Sequence, residues 1–142
     1  MRMRLCLVVL LPLVTACPGT SAPVGGLVIR TSAVSFSRQA SEPAVIDFTV
    51  TNTFDHRVYL ARCGPRIMSA LDRAGASGWE QYSGDACIAI LDMSPLPIDP
   101  GVTLQSSRAI HDPGQYRLRI GVIGDTEQTY AWESASGAFV VR

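Results

Sequence analysis

The sequence predicts an all-β domain, and three observations predict it. Beyond residue 26, apolar residues do not recur at the three-and-four spacing of an amphipathic helix over any long stretch. Short stretches rich in β-branched residues alternate instead with clusters of Gly, Pro, Asn, Asp and Ser, the punctuation of strands and turns. Residues 44–53 alternate with period two, Ile46, Phe48 and Val50 against Asp47, Thr49 and Thr51, so that one face is buried and the other wet.

Taken in order, the first strand region covers 27–36 and the second 44–53, followed by a turn over 52–56. A third strand covers 58–62. Residues 67–73 alternate more loosely and end at Gly75-Ala76-Ser77-Gly78, a hairpin-like break. A short strand follows at 79–82. Residues 87–96 read as irregular, and Pro95, Pro97 and Pro100 exclude a central strand over 95–100. Residues 101–110, 115–123 and 137–142 complete a set of seven or eight strands without an internal repeat, the pattern of an antiparallel β-sandwich over 27–142.

The segment Asp112-Pro113-Gly114-Gln115-Tyr116-Arg117-Leu118 resembles the D-x-G-x-Y of immunoglobulin-like domains. The resemblance implies a structural corner made by Asp112, Gly114 and Tyr116, with the tyrosine hydroxyl bonded back to the backbone. Leu118 stands where antibody domains carry a disulfide cysteine, so an apolar contact with the second strand is expected instead. Val50-Thr51-Asn52-Thr53, Val58-Tyr59-Leu60, Gly78-Trp79-Glu80, Asp99-Pro100-Gly101 and Pro113-Gly114-Gln115-Tyr116 follow in an order similar to small bacterial immunoglobulin-like domains. The bacterial intracellular proteinase-inhibitor family is one such group. The likeness covers roughly 44–120 and implies the fold far more than the activity.

At the start, Arg2 and Arg4 precede a stretch from Leu5 to Val14 that is apolar except at Pro12. That run is about half the length a spanning helix requires, and it reads as a signal peptide. Val14-Thr15-Ala16-Cys17 resembles the lipobox of bacterial lipoproteins. The resemblance implies cleavage after residue 16, lipid on Cys17 and anchorage in a bacterial envelope, on the periplasmic or extracellular face. Several acyl chains anchor stably where one does not. Pro18 stands where an Asp would resemble an inner-membrane retention signal, which favours the outer membrane. Residues 17–26 then form a lipidated tether, PGTSAPVGG after the cysteine. Its nine residues reach about 30 Å at most.

The expected mature chain, Cys17 to Arg142, has ten arginines against twelve acids and no lysine. No basic excess invites nucleic acid or anionic lipid. With Cys6 removed and Cys17 lipidated, Cys63 and Cys87 remain in an oxidising compartment, where a disulfide between them is the simple inference. The alternative is a metal or reactive thiol pair. No C-x-x-C is present, and neither histidine lies near in sequence.

Catalytic chemistry is not foreshadowed. No G-x-S-x-G occurs, and the two histidines, His56 beside Asp55 and His111 beside Asp112, read as surface residues. Asp125 and Glu127 make too poor a loop for calcium. Met68 and Met93 lack partners at ligand spacing for copper and read as core filler. No cofactor, metal or enzyme activity is expected.

Binding remains. Residues 124–136, GDTEQTYAWESAS, lie between the sixth and seventh strands, with Tyr130 and Trp132 among polar neighbours. Rigid aromatics of this kind anchor interfaces. Alternatively both rings share one strand face and cap the sandwich. Immunoglobulin-like topology would set this loop at the membrane-proximal end, within reach of a membrane-protein neighbour or lipid. Trp79 is expected in the core, against the Cys63–Cys87 bridge. The function expected is a monomeric envelope lipoprotein that binds or scaffolds something in the envelope, an envelope protein being one candidate partner. The alternative is a proteinase inhibitor acting through an exposed loop.

Overall fold

A computed structural model describes residues 26–39, 41–87, 93–123 and 130–142. The expected signal peptide, Cys17 and the tether up to residue 25 lie outside the described residues, as does 124–129 of the candidate loop. Among the described residues no helix forms, and none is therefore long and apolar enough to cross a membrane.

The chain is all-β. In order, the strands are β1 (Leu27–Thr31), β2 (Ser35–Phe36), β3 (Ala44–Asn52), β4 (Val58–Leu60), β5 (Arg62–Cys63), β6 (Arg66–Ile67) and β7 (Ala70–Gly75). After them come β8 (Gly78–Gly84), β9 (Leu96–Ile98), β10 (Thr103–Ile110), β11 (Gly114–Ile123), β12 (Tyr130–Ala135) and β13 (Phe139–Val141). Seven or eight strands were expected, and thirteen segments are present among the described residues. The first expected strand breaks at residues 32–34 because it changes sheets. β1 pairs antiparallel with β3, whereas β2 pairs parallel with β13.

The smaller sheet has the order β1-β3-β10. The larger is centred on β11, flanked on one edge by β13 and β12 and on the other by β7 and β4. Both β4 and β7 run antiparallel to β11, opposite its later and earlier residues respectively. They are thus one strand interrupted by the β5–β6 hairpin, whose neck is closed by Met68 N–H donating to the Ala61 carbonyl at 2.9 Å. Gly64, with φ of 58°, followed by Pro65 is the residue pattern of a type II′ hairpin turn.

Two strands lie where none was expected. β9 holds Pro97 and among the described residues pairs only with β4, so it is an edge strand there, where a missing N–H is tolerated. β12 occupies half of the expected binding loop.

The core lies between the sheets. Ile46, Phe48 and Val50 meet Tyr116, Leu118, Ile120 and Val122 of β11, together with Leu60, Leu71, Ile98 and Phe139. Each such side chain contributes roughly 1.5–3 kcal/mol on burial. Leu118 is fully buried in this cluster. Asn52 is also fully buried, and its amide is satisfied throughout. Nδ2 donates to the carbonyls of His56 and Ile98, each at 2.9 Å, while Oδ1 accepts from Phe54 N–H at 2.9 Å. It ties the turn after β3 to the end of β9.

Candidate functional site

The alternation of β11 puts Tyr116, Leu118, Ile120 and Val122 inward and Arg117 and Arg119 outward. Register sets Asp72 of β7 opposite Arg117. Asp72 is a buried carboxylate, and the two arginines cover it. Arg117 Nε and Nη2 both approach Asp72 Oδ2 at 2.9 Å, and Arg119 Nε donates to Oδ1 at 2.8 Å. Arg119 Nη2 also reaches Gln81 Oε1 at 3.2 Å. The Arg117 guanidinium lies 4.9 Å from the centre of the Trp79 ring. These groups, with Ser134 and Ala135, line a groove of about 450 Å3.

Trp79 is therefore not a core residue. It is 38% exposed, on an edge strand, and stacks on a cation rather than on the disulfide. The β7–β8 register explains the neighbouring aromatic too. Leu71 faces Ser83 while Asp72 faces Gln81, so Tyr82 is the extra residue of a bulge. A bulge re-aims a side chain, and here Tyr82 meets the corner of the sandwich. Its ring packs edge-on against Tyr116 at 5.3 Å, and its hydroxyl donates to the Asp112 carboxylate.

At that corner Tyr116 Oη donates to the Asp112 carbonyl at 3.0 Å. Arg73 lies 5.7 Å from the Tyr82 ring centre and 5.8 Å from that of Tyr116, and its Nη2 donates to the Pro113 carbonyl at 2.9 Å. A side chain at Gly114 would meet Arg73 Nε at 2.9 Å and the Tyr116 ring at 3.2 Å, which accounts for the glycine. Tyr116→Phe removes one hydrogen bond and leaves a carbonyl unpartnered, so a loss of about 1–2 kcal/mol is expected in urea unfolding. A loss below the error of the extrapolation would show that the bond is not a stabilising one.

The Asp112 bond, followed by partial burial, pushes the Tyr82 phenol up to about 12 from an ordinary 10. A phenol is charged when deprotonated, so a raised value means that the folded state holds the proton more tightly. This contribution is fully present below the unfolded value near 10 and is lost as pH rises through about 12. Stability measured between pH 9 and 12 should therefore fall more steeply in the wild type than in Tyr82→Phe. Equal slopes would contradict the assignment.

A second polar cluster joins the two sheets. Arg108, on an inward position of β10, pairs with Asp85 at 2.7 Å and donates to the Ser69 carbonyl at 2.6 Å. Burial pushes its pKa down, Asp85 opposes this, and nearby Arg66 lowers it further. Cys63 and Cys87 are joined, with Cα atoms 5.5 Å apart.

Tyr130 stands opposite Ile123 and Trp132 opposite Val122, in register with β11. His56 Nδ1 and Asp55 Oδ1 lie 2.8 Å apart on the surface. The His111 carbonyl accepts from Arg38 Nη1 at 2.6 Å. Met93 is exposed rather than core filler. Among the described residues no three His, Cys, Asp or Glu side chains gather as a metal site would require.

No protein-family model matches this chain, and no curated protein does. Among solved structures, a mutant β-glucosidase from Listeria innocua in complex with laminaribiose is 11% identical with a TM-score of 0.36. The alignment covers 84% of this chain and 16% of that enzyme. An X-ray structure of a structural-genomics consortium target is 12% identical with a TM-score of 0.39, covering 82% of each chain. These similarities carry no argument about activity.

Proposed function

We propose that the chain is a lipid-anchored envelope protein, monomeric by itself, that binds a protein partner along strand β8. The observation that carries this reading is the exposure of β8. None of its seven residues is buried, it has only β7 as a neighbour among the described residues, and it presents Trp79 and Tyr82. An edge with open backbone groups accepts an added extended segment, and exposed Trp and Tyr supply anchor area.

Geometry also favours access. The Leu27 carbonyl, where the chain enters, accepts from Ser134 Oγ at 2.8 Å, and Ser134 pairs with Ile120. Arg73, adjacent to the Ala74–Trp79 pair, lies opposite Tyr116. Ile120 and Tyr116 are four residues apart on β11, about 13 Å. Trp79 thus sits towards the end away from the tether, where a partner outside the bilayer can reach it. The anchor itself rests on the lipobox resemblance at Cys17.

Two measurements test the reading. The membrane-expressed product should have the mass of residues 17–142 plus acyl chains, and a mass retaining Met1 would refute the anchor. A photo-crosslinking residue at Glu80 should capture a discrete envelope protein, and Trp79→Ala should abolish the adduct while leaving thermal unfolding unchanged. No adduct, or one indifferent to Trp79→Ala, would refute the β8 surface. Stoichiometric loss of a protease's activity would favour inhibition instead.

A further inference from the structure

The outward face of the smaller sheet carries a trough of about 510 Å3, remote in origin from β8. Arg30 enters it from β1, Asp47 and Thr49 from β3, and Gln105 and Ser107 from β10, all on the wet side of the strand alternation. One wall has a different source. Pro65 and Arg66 come from the hairpin inserted between β4 and β7. Arg66 pairs across that hairpin with Cys63, the cysteine bridged to Cys87. The disulfide therefore fixes the strand position directly opposite Arg66.

Among the described residues these side chains are uncommitted, whereas most of the other arginines are committed. Ten arginines occur from Arg30 onward. Among the described residues, all but Arg30, Arg66 and Arg142 donate a side-chain hydrogen bond to a carboxylate or carbonyl oxygen. Two of those three line this one trough. Among the described residues Asp47, Thr49, Gln105 and Ser107 likewise have no side-chain hydrogen-bond partner, and Asp47 pairs with neither arginine. Arg66 also lies close enough to the half-buried Arg108 to lower its pKa, which marks positive potential at that wall.

We propose that the trough binds a hydroxylated anion of one or two sugar units, a sugar acid or a phosphorylated sugar. The volume suits such a ligand. Planar guanidinium groups grip a carboxylate or phosphate through paired N–H donors. The free Asp47 carboxylate and the Gln105 amide receive and supply bonds to sugar hydroxyls, and Thr49 and Ser107 add both. Phe48 lines the trough but is itself buried, so no ring is offered to an apolar ligand. A wall held by a disulfide is pre-organised and loses little freedom on binding.

The test is calorimetric titration of the full-length chain in mild detergent. Glucose 6-phosphate, glucuronate, glucose and inorganic phosphate are compared. At least one sugar anion should saturate at one per chain and weaken as salt is raised. Arg30→Ala and Arg66→Ala should each weaken it by about tenfold or more, since each removes a charge-assisted bond. Arg57→Ala, whose partner Asp99 lies outside the trough, should leave it unchanged. Binding of glucuronate alone assigns a sugar acid, and of glucose 6-phosphate alone a phosphorylated sugar. The proposal is overturned if neither saturates or if the two variants bind as the wild type does. It also fails if glucose or inorganic phosphate binds as tightly as the sugar anion.

Discussion

Replacing both Cys63 and Cys87 with serine is expected to cost roughly 3–4 kcal/mol of stability, from the chain-entropy of a loop of about this length. The two cysteines are 24 residues apart, and the bridge removes the corresponding loop freedom from the unfolded chain. For a domain of this size the loss corresponds to a fall in Tm of about 10–20 °C. The native state suffers locally as well. The β5–β6 hairpin forms a two-stranded sheet of its own, tied to the rest by the bridge, by buried Ile67 and by Arg62 Nε donating to the Ser94 carbonyl at 2.8 Å, so loss of the bridge removes one of its few anchors. Hydrogen exchange at Met68 N–H, which closes the hairpin neck, should therefore accelerate more than exchange in β3 or β11. Calorimetry of the oxidised chain and the double serine variant checks the first part. A Tm difference below about 5 °C would show that the bridge does not restrain the unfolded chain as the entropy model requires.

Much of this fold was legible because burial imposes period two. Ile46, Phe48 and Val50 are all buried, and Asp47 is exposed, as the alternation of residues 44–53 required. Proline chemistry was legible in part. Pro97 does sit at an edge, but exclusion from a central strand says nothing of an edge strand, so β9 went unforeseen. The change of sheet between β1 and β2 leaves no periodic trace, because both halves present apolar residues to the same core. Trp79 was misplaced because size argues for burial, whereas exposure depends on which strand lies at the edge, a fact of pairing and not of composition.

The sites were harder to read for the same reason. The outward placement of Arg117 and Arg119 follows from Leu118 between them, yet their shared partner Asp72 follows only from register. Trp79 and Tyr82 lie three residues apart in sequence, a spacing that does not set the two rings on a shared face. They face opposite ways, Trp79 over outward Arg117 and Tyr82 against inward Tyr116, and the bulge leaves Tyr82 without a partner opposite on β7. Arg30 and Arg66 are far apart in sequence, and only the inserted hairpin brings them to one trough.

Asp72→Ala is expected to destabilise the domain by about 3 kcal/mol, near the lower end for breaking a buried ion pair. The carboxylate is nearly inaccessible and is held by two guanidinium groups, whereas Arg117 and Arg119 keep partial access to water. Removing Asp72 leaves two like charges side by side. Water relieves part of that, which places the cost at the lower end. Because the three residues act as a unit, Arg117→Ala combined with Asp72→Ala should cost less than the sum of the two, by about 1–2 kcal/mol. The Asp72→Ala change should also reach the β8 surface. Arg117, no longer held from beneath, loses its fixed place over the Trp79 ring, and Trp79 emission should shift towards that of a fully hydrated indole. Urea unfolding of the single and double variants, with Trp132→Phe as the background so that Trp79 alone is observed, measures both effects. A cost below 1 kcal/mol together with unchanged emission would mean that the arginines are held by their own strand and that Asp72 positions neither them nor Trp79.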